Sequence, residues 1–300
     1  MRMLVTGGRG QLGRELEELS GVSKPPVDCW APGHAELDVT DPHALRRALQ
    51  RFNPDVVVHA AAITDVDRCE REPELAWRVN AEATRILARL CAERAIPVVY
   101  VSTDYVFDGR KGAPYVESDP THPLSVYAAT KLEGERAVAD AGGPYAIVRT
   151  AWVYSTYGRN FPRTILEAAR RASAGPEALR VVADQTGSPT YGRDLALALL
   201  VMIKKDLTSS RRVFHAANAG ACSRYEQARE LLALSGWQVP VEPITTAELN
   251  RPAPRPACSA LDSSALGAEG IPMRPWREAL ADFTERLRHQ EPDLFPTARA

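Results

Sequence analysis

The stretch MLVTGGRGQLG, residues 3–13, decides the fold class of this chain. It begins with an apolar run typical of a buried strand, and its end opens a helix predicted over 11–19. Gly7, Gly10 and Gly13 lie between the two, and glycine permits a tight turn and a close backbone approach to a pyrophosphate. The positive end of the helix dipole attracts such an anion. Glycines spaced in this way are weak evidence alone, but between a first strand and a first helix they predict a dinucleotide-binding loop.

The rest of the first half alternates apolar runs with helical patterns. Strands are predicted at 27–31, 55–60, 97–102 and 145–149, and helices at 41–51, 74–94 and 125–139. This alternation predicts an α/β fold, a Rossmann-type doubly wound parallel sheet with right-handed crossovers. After Thr150 helical patterns dominate, which indicates a smaller, mostly helical substrate-binding domain. Its helices are predicted at 160–173, 193–204, 223–235 and 275–288, and short strands at 180–182 and 212–214.

The predicted domain division follows this change of pattern. Residues 1–150 are predicted to form the cofactor-binding Rossmann domain, with later segments, roughly 180–220, returning to it. Residues 151–290 are predicted to form the substrate-binding region, partly interleaved with the first domain. Residues 291–300 contain two prolines and are predicted to be a frayed tail.

The composition excludes several classes of protein. The chain has 300 residues, 25% of them charged and 45% hydrophobic, and a formal net charge of −1. This length supports a core without a disulfide or a metal, and the balanced charge argues against a nucleic acid polymer as a partner. Five cysteines without a CxxC pair predict neither a disulfide framework nor a zinc site. The six histidines show no metal spacing, so no metal site is predicted and a need for magnesium is left unknown.

No targeting or membrane segment is recognisable. The apolar run at the start is too short for a signal peptide, and the longest apolar stretch, residues 195–203, is less than half of a membrane span. A cytoplasmic protein without a membrane partner is therefore predicted. The sequence does not fix the oligomeric state and is compatible with a homodimer.

The residues around the second strand bear on the choice of cofactor. An acidic residue commonly ends that strand and holds the ribose 2′-hydroxyl, but WAPG stands here at residues 30–33. Arg9, inside the glycine loop, is placed to meet a 2′-phosphate instead, unless it is only a solvated charge. NADPH is therefore predicted as the cofactor, with NADH as the alternative. Asp38 and Val39 are placed to hold the adenine edge, although Asp38 could equally be a turn residue.

Tyr127 and Lys131, in the sequence YAATK, are the candidate catalytic pair. Four residues apart on a helix, they share one face, and a chain with only five lysines and nine tyrosines rarely places them so by chance. A phenol has a pKa near 10, and a nearby ammonium lowers it by stabilising the phenolate. The pair therefore predicts a proton donor to a carbonyl oxygen that receives hydride at its carbon.

Hydroxyl groups end the fourth predicted strand, within STDYVFDG at residues 102–109. Ligands of open parallel sheets bind at the carboxyl ends of the strands. Ser102 and Thr103 are therefore placed to hydrogen-bond a substrate carbonyl. For the next residue, Asp104, capping of a helix or turn is the alternative role.

Taken together, these motifs resemble the dTDP-4-dehydrorhamnose reductase family, within the extended short-chain dehydrogenase/reductase superfamily. The resemblance covers about residues 1–288, and STDYVFDG is its most specific part. The other shared stretches include GGRGQLG at 7–13, LDVTD at 37–41, PDVVVHAAA at 54–62, RTAWVY at 149–154, DQTGSPT at 184–190 and PWREAL at 275–280.

The resemblance implies roles for individual residues. Tyr127 is the proton donor, Lys131 holds the nicotinamide ribose while lowering the pKa of Tyr127, and Thr103 completes the catalytic triad. The substrate contacts are Thr103, Asp104 and Trp152. The cofactor contacts are Gly10, Gln11 and Leu12 at the pyrophosphate, Asp38 and Val39 at the adenine, and Ala62, Ile63 and Thr64 at the nicotinamide. The implied reaction is the NADPH-dependent reduction of the C4 ketone of dTDP-4-dehydro-6-deoxy-L-mannose to dTDP-L-rhamnose.

Two other functions stay open at this point. One is a sugar-nucleotide epimerase of the same superfamily, which retains its cofactor through a transient ketone. The other is a non-catalytic regulatory subunit of a methionine adenosyltransferase, against which the intact Tyr127, Lys131 and Thr103 argue. The sequence also leaves open which deoxysugar nucleotide is used.

Overall fold

A six-stranded parallel sheet forms the centre of the protein in a computed structural model, which describes residues 1–173, 175 and 177–296. The strands are β1 (Arg2–Thr6), β2 (Asp28–Trp30), β3 (Val56–His59), β4 (Val98–Thr103), β5 (Tyr145–Thr150) and β10 (Arg212–His215). Their order is β2-β1-β3-β4-β5-β10, and every pairing is parallel. The order reverses at β1, which leaves a crevice outside the carboxyl ends of the strands. The predicted doubly wound sheet is confirmed.

Helices cover both faces of this sheet. On one face lie α1 (Gln11–Val22) and α8 (Gly192–Lys204), and on the other lie α2 (Pro42–Phe52), α5 (Ala83–Ala92) and α6 (Val126–Asp140). The three valines of β3 divide accordingly, with Val56 and Val58 in the first core and Val57 in the second. An unbroken run of three valines is what burial on both faces favours.

The segment between β3 and β4 differs from the single helix predicted over 74–94. It contains α3 (Val66–Arg71), α4 (Pro73–Ala76) and a π-helical turn, Trp77–Glu82, that leads into α5. Pro73 has no N–H to continue α3, and it begins α4 instead. Asn80, within the π-helical turn, is completely buried.

The second region is mostly helical, as predicted. Its core contains Tyr154, Tyr191 and Phe283 and lies between α7 (Phe161–Ala172), α9 (Arg224–Ser235) and α11 (Trp276–Gln290). The remaining elements are β6 (Val153–Tyr154), β7 (Leu179–Val182), β8 (Thr186–Gly187), β9 (Thr190–Tyr191), β11 (Cys222–Ser223), β12 (Val241–Ile244) and α10 (Ser264–Ala268). The sequence did not predict β12, because Pro243 lies inside it.

Two boundaries differ from the predicted domain division. The segment predicted to return to the first domain was 180–220. Residues near 180 instead belong to the second region, because β7 pairs with β12. The segment that returns to the main sheet begins with α8 and ends with β10. The predicted frayed tail is wrong for residues 291–296, because Leu294 and Phe295 pack into the core of the second region. Residues 297–300 lie outside the described residues. No helix in the described part of the chain combines the length and apolarity that crossing a membrane requires.

Candidate active site

A cavity of about 790 Å³ opens at the carboxyl edge of the main sheet. Every predicted site residue except Asp38 lines it, namely Gly7, Arg9, Gly10, Gln11, Leu12, Gly13, Val39, Ala62, Ile63, Thr64, Thr103, Asp104, Tyr127, Lys131 and Trp152. The carboxylate of Asp38 instead accepts hydrogen bonds from the backbone N–H (2.9 Å) and hydroxyl (2.7 Å) of Thr40. These bonds suit a turn residue, and the contact of Asp38 with an adenine stays a prediction.

The glycine loop is held closely against the end of β2. Gly7 has a φ of +73°, which favours glycine. Gly8 donates its backbone N–H to the Pro32 carbonyl (3.0 Å), and a Cβ on Gly8 would lie 2.0 Å from the Ala31 carbonyl oxygen. No side chain caps the first turn of α1, which lines the cavity.

These features fit the pyrophosphate of a dinucleotide, which free N–H groups at a helix N-terminus bind. Thr150, at the end of β5, gives a second indication of a ligand. Its hydroxyl is buried, lines the same cavity and has no hydrogen-bond partner among the described residues.

Arg9 has two acidic neighbours that the sequence pattern did not predict. Its guanidinium lies 3.2 Å from a Glu17 carboxylate oxygen and 3.7 Å from a Glu36 oxygen. Glu36 also accepts the backbone N–H of Gly33 at 2.9 Å. Because Glu36 lies beyond the end of β2, its place beside Arg9 depends on the turn that follows the strand. Such half-exposed ion pairs contribute about 0–1 kcal/mol, so Arg9 can exchange them for a phosphate.

Tyr127 and Lys131 share the inner face of α6, as predicted from their spacing. Lys131 donates to the Val101 carbonyl at 2.7 Å, and its nitrogen lies 4.1 Å from the Tyr100 ring centroid. Burial lowers the pKa of Lys131 to about 7, against an opposing effect of Glu135.

Within the protein itself, burial opposes the predicted lowering of the pKa of Tyr127. Burial raises the pKa of Tyr127 well above its usual range, an effect that the Thr103 side chain partly offsets. The sequence could show that Lys131 is near, but removal from water destabilises the phenolate more than its neighbours stabilise it. Tyr127 is therefore a neutral phenol at neutral pH, which is the form that donates a proton.

A buried ion pair lies one turn further along the same helix. The Glu135 carboxylate accepts two bonds from the Arg149 guanidinium, at 2.9 and 2.7 Å, and one from the Ser102 hydroxyl at 2.5 Å. Both charged side chains are only 6% exposed. Ser102 and Thr103 both line the cavity, but the Ser102 hydroxyl donates its proton to Glu135.

The Asp104 carboxylate is held by two hydroxyl donors. Thr103 donates to one oxygen at 3.0 Å and Ser259 to the other at 2.5 Å. Burial raises the pKa of Asp104 to about 6, although these hydrogen bonds oppose the rise. The turn that follows is capped by Thr103, which accepts the Tyr105 N–H at 3.2 Å. The capping residue of this turn is therefore Thr103 and not Asp104.

Trp152 lies in the wall of the cavity with a φ of +48°, a left-handed conformation unusual for a large residue. Gly187 closely approaches its indole, since a Cβ there would lie 2.4 Å from Trp152 Cε2. The guanidinium of Arg224 lies 3.5 Å from the Trp152 ring centroid. Neither neighbour was predicted, because both lie far from Trp152 in sequence.

Two asparagines position the walls of the cavity. Asn80 accepts the Ile63 N–H at 2.8 Å and donates to the Ile63 carbonyl at 3.1 Å, which fixes the predicted nicotinamide-side loop. Asn160 lines the cavity and donates to the Gln11 side chain at 3.0 Å, so it ties the second region to α1.

Among the described residues, no group of three or more His, Cys, Asp or Glu could hold a metal ion.

Comparison with known proteins agrees with this geometry. A family model described as RmlD substrate binding domain matches residues 1–289. A Mycobacterium tuberculosis protein named dTDP-4-dehydrorhamnose reductase is 43% identical over 287 residues, covering 93% of this chain and 91% of its own. The chain belongs to the dTDP-4-dehydrorhamnose reductase family.

Further relatives extend the likeness along the whole chain. A Streptomyces antibioticus protein named as a probable dTDP-4,6-dihydroxy-2-methyloxan-3-one 4-ketoreductase is 42% identical over 100% of this chain and 99% of its own. The crystal structure of a Bacillus anthracis dTDP-4-dehydrorhamnose reductase in complex with NADP matches with a TM-score of 0.86 and 35% identity, covering 95% of this chain and 99% of that one. The similarity to these relatives therefore covers both the main sheet with its helices and the second region.

Proposed function

We propose that this protein reduces the C4 ketone of dTDP-4-dehydro-6-deoxy-L-mannose with NADPH and forms dTDP-L-rhamnose. The observation that carries the proposal is the meeting of Tyr127, Lys131 and Thr103 in the cavity that the glycine loop also lines. The names of the relatives support the substrate class, and the NADP complex of the Bacillus anthracis relative supports the cofactor. As a reductase of a nucleotide sugar, like the named relatives, the protein would act in the cytoplasm. A homodimer stays a prediction.

The chain supplies the groups that this reaction needs. Bound NADPH would supply a hydride to the carbonyl carbon. Tyr127, a neutral phenol in a buried site, donates its proton to the carbonyl oxygen, which becomes the product hydroxyl. Thr103 turns its one hydroxyl proton from Asp104 to the same oxygen and orients it, and the Lys131 ammonium stabilises the tyrosinate that is left. Asp104 and Trp152 hold the sugar ring beside these groups.

A panel of substrates tests this proposal directly. Purified protein is mixed with NADPH and separate 4-keto sugar nucleotides, including the substrate class named for the Streptomyces antibioticus relative, and the loss of NADPH absorbance is followed. We expect net oxidation of NADPH that matches the product formed, with the highest kcat/KM for the rhamnose precursor. A cofactor retained through purification without net oxidation would indicate an epimerase. No turnover, together with a stable complex with a methionine adenosyltransferase, would indicate a regulatory subunit.

Arg9 provides a separate test of cofactor choice. Arg9→Ala should raise the Kd for NADPH by about 10–100-fold, because a hydrogen bond between charged groups contributes about 1.5–3 kcal/mol. The Kd for NADH should change little, since NADH has no 2′-phosphate. Both constants can be measured by titrating the cofactor fluorescence.

Arg14→Ala is the matched control for Arg9. Arg14 lies on α1, outside the lining of the cavity, with its guanidinium 5.5 Å from the Tyr157 ring centroid. Its replacement should leave both constants unchanged. An equal loss of NADPH and NADH affinity in Arg9→Ala would refute the contact with the 2′-phosphate.

A further inference from the structure

The Thr150 hydroxyl, at the end of β5, is a buried polar group that the proposed reaction does not use. The residue is only 6% exposed, and its Oγ1 atom has no hydrogen-bond partner within residues 1–173, 175 and 177–296. A buried hydroxyl without a partner destabilises a folded protein. Because Thr150 also lines the cavity, we expect a ligand to satisfy this hydroxyl.

Thr150 and Thr103 project from the same face of the main sheet. They are register partners on the neighbouring strands β5 and β4. Val148, two residues before Thr150, belongs to the core formed with α1 and α8, and Val101, two residues before Thr103, packs against the same core. Since side chains alternate between the two faces of a strand, both threonines lie on that face. Strands pair about 4.8 Å apart, so the two hydroxyls are neighbours in the cavity.

The order of the strands indicates which part of a cofactor reaches Thr150. The lining of the cavity passes from Val39, after β2, to the glycine loop, after β1, and on to Thr150. A dinucleotide with its pyrophosphate at the glycine loop has its adenine at one end of this edge and its nicotinamide at the other. Lys131, which donates to the Val101 carbonyl of β4, lies on the nicotinamide side. The nicotinamide therefore lies where β4 and β5 end.

The chemistry of hydride transfer narrows the position further. Reacting atoms meet at about 3–3.5 Å, so C4 of the nicotinamide lies beside the carbonyl whose oxygen Tyr127 and Thr103 bind. The carboxamide is attached to C3, the ring atom next to C4, and is therefore close to Thr103 as well. At that place Thr150 presents the hydroxyl that the described chain leaves unsatisfied. A carboxamide has both an N–H donor and a carbonyl acceptor, and a hydroxyl pairs with either.

We propose that the Thr150 hydroxyl binds the carboxamide of the nicotinamide and so fixes which face of the ring meets the substrate. The ring turns about its bond to the ribose, and the carboxamide lies on the β5 side in only one of its two orientations. The inference rests on the proposed function only for the place of hydride transfer. The alternative role for Thr150 is a hydrogen bond to a hydroxyl of the sugar.

The experiment uses calorimetry to measure the Kd of NADP⁺ and of 2′-phospho-ADP-ribose, which is the same dinucleotide without its nicotinamide. Thr150→Val replaces the hydroxyl with a methyl group of similar size. It should raise the Kd of NADP⁺ about 3–10-fold, the effect of losing one hydrogen bond, and leave the Kd of 2′-phospho-ADP-ribose unchanged. Thr150→Ser keeps the hydroxyl, so its Kd for NADP⁺ should stay within about twofold.

Thr156→Val is the matched control. Thr156 is only 4% exposed, and its hydroxyl also lacks a partner in the part of the chain that the structure describes, but it lies outside the cavity lining. Both valine variants should raise the midpoint of thermal unfolding of the ligand-free protein, because each removes an unsatisfied buried hydroxyl. Only Thr150→Val should reduce the further rise of this midpoint that NADP⁺ causes.

Three results would overturn the inference. An equal loss of affinity for NADP⁺ and 2′-phospho-ADP-ribose would mean that Thr150 supports the shape of the cavity, and no loss of either would mean that it does not bind the cofactor. A loss confined to dTDP-L-rhamnose, titrated into the NADP⁺-loaded protein, would assign the hydroxyl to the sugar. A selective loss for NADP⁺ in Thr150→Val, with no 4-keto sugar nucleotide reduced by the unchanged protein, would support the role of Thr150 and refute the proposed reaction.

Discussion

Replacing Tyr127 with phenylalanine is expected to lower kcat for the ketone reduction by about 10²–10⁴-fold, the usual contribution of a general acid. The change removes one hydroxyl from a half-buried ring in the cavity wall and leaves the ring itself in place, so the cavity keeps its shape. Without the hydroxyl, no proton reaches the carbonyl oxygen from α6, and the developing alkoxide is left without its donor. The Kd for NADPH should stay within about twofold, because the cofactor is held mainly at the glycine loop.

Single-turnover kinetics and a cofactor titration check both parts of this expectation. Tyr145→Phe is the matched control, because it removes the same hydroxyl from a tyrosine of β5 outside the cavity lining. Its kcat should equal that of the unchanged protein. A Tyr127→Phe variant with full kcat would dismiss the role of Tyr127 as proton donor. A parallel loss of NADPH affinity would show that the ring hydroxyl serves cofactor binding instead.

The parts of the site that the sequence predicted are those with short-range causes. The turn at Gly7 and the shared face of Tyr127 and Lys131 follow from a few neighbouring residues, because φ preferences and helical spacing are local. The start of α2 is a further local case, since the Asp41 carboxylate accepts the His43 N–H, as an N-cap residue does.

The parts that the sequence did not predict depend on chain segments that meet only after folding. Ser259 donates to Asp104 across 155 residues of sequence. The π-helical turn that buries Asn80 against Ile63 has no periodicity that distinguishes it from an ordinary helix. The raised pKa of Tyr127 has the same kind of origin, because burial, and not the nearby Lys131, decides its direction.

Breaking the ion pair between Glu135 and Arg149 is expected to cause the largest loss of stability. Glu135→Gln should lower the free energy of unfolding by about 3–5 kcal/mol, because it leaves the Arg149 charge buried and unpaired. This is a large fraction of the roughly 5–15 kcal/mol by which folded proteins are stable. Urea unfolding at constant pH measures it.

Glu133→Gln is the control on the same helix. Glu133 lies 2.7 Å from Arg85, but both side chains are over a quarter exposed, so the loss should be only about 0–1 kcal/mol. Adding Arg149→Met to Glu135→Gln should recover part of the stability, since neither charge then remains alone. The two single variants and the double variant form a double-mutant cycle. If the losses of unfolding free energy in the single variants add up to the loss in the double variant, the two side chains are not directly coupled.

Glu135 should also control the pH range of activity through Lys131. Burial lowers the pKa of Lys131 and Glu135 raises it, so Glu135→Gln should lower it below the present value of about 7. The ammonium that stabilises the tyrosinate is lost as pH rises through that pKa. The alkaline limb of the kcat/KM profile should therefore move to lower pH in Glu135→Gln and stay in place in Glu133→Gln. A displaced alkaline limb would show that the Glu135 charge raises the pKa of Lys131. A uniform loss of activity at every pH would mean that Glu135 acts only through packing.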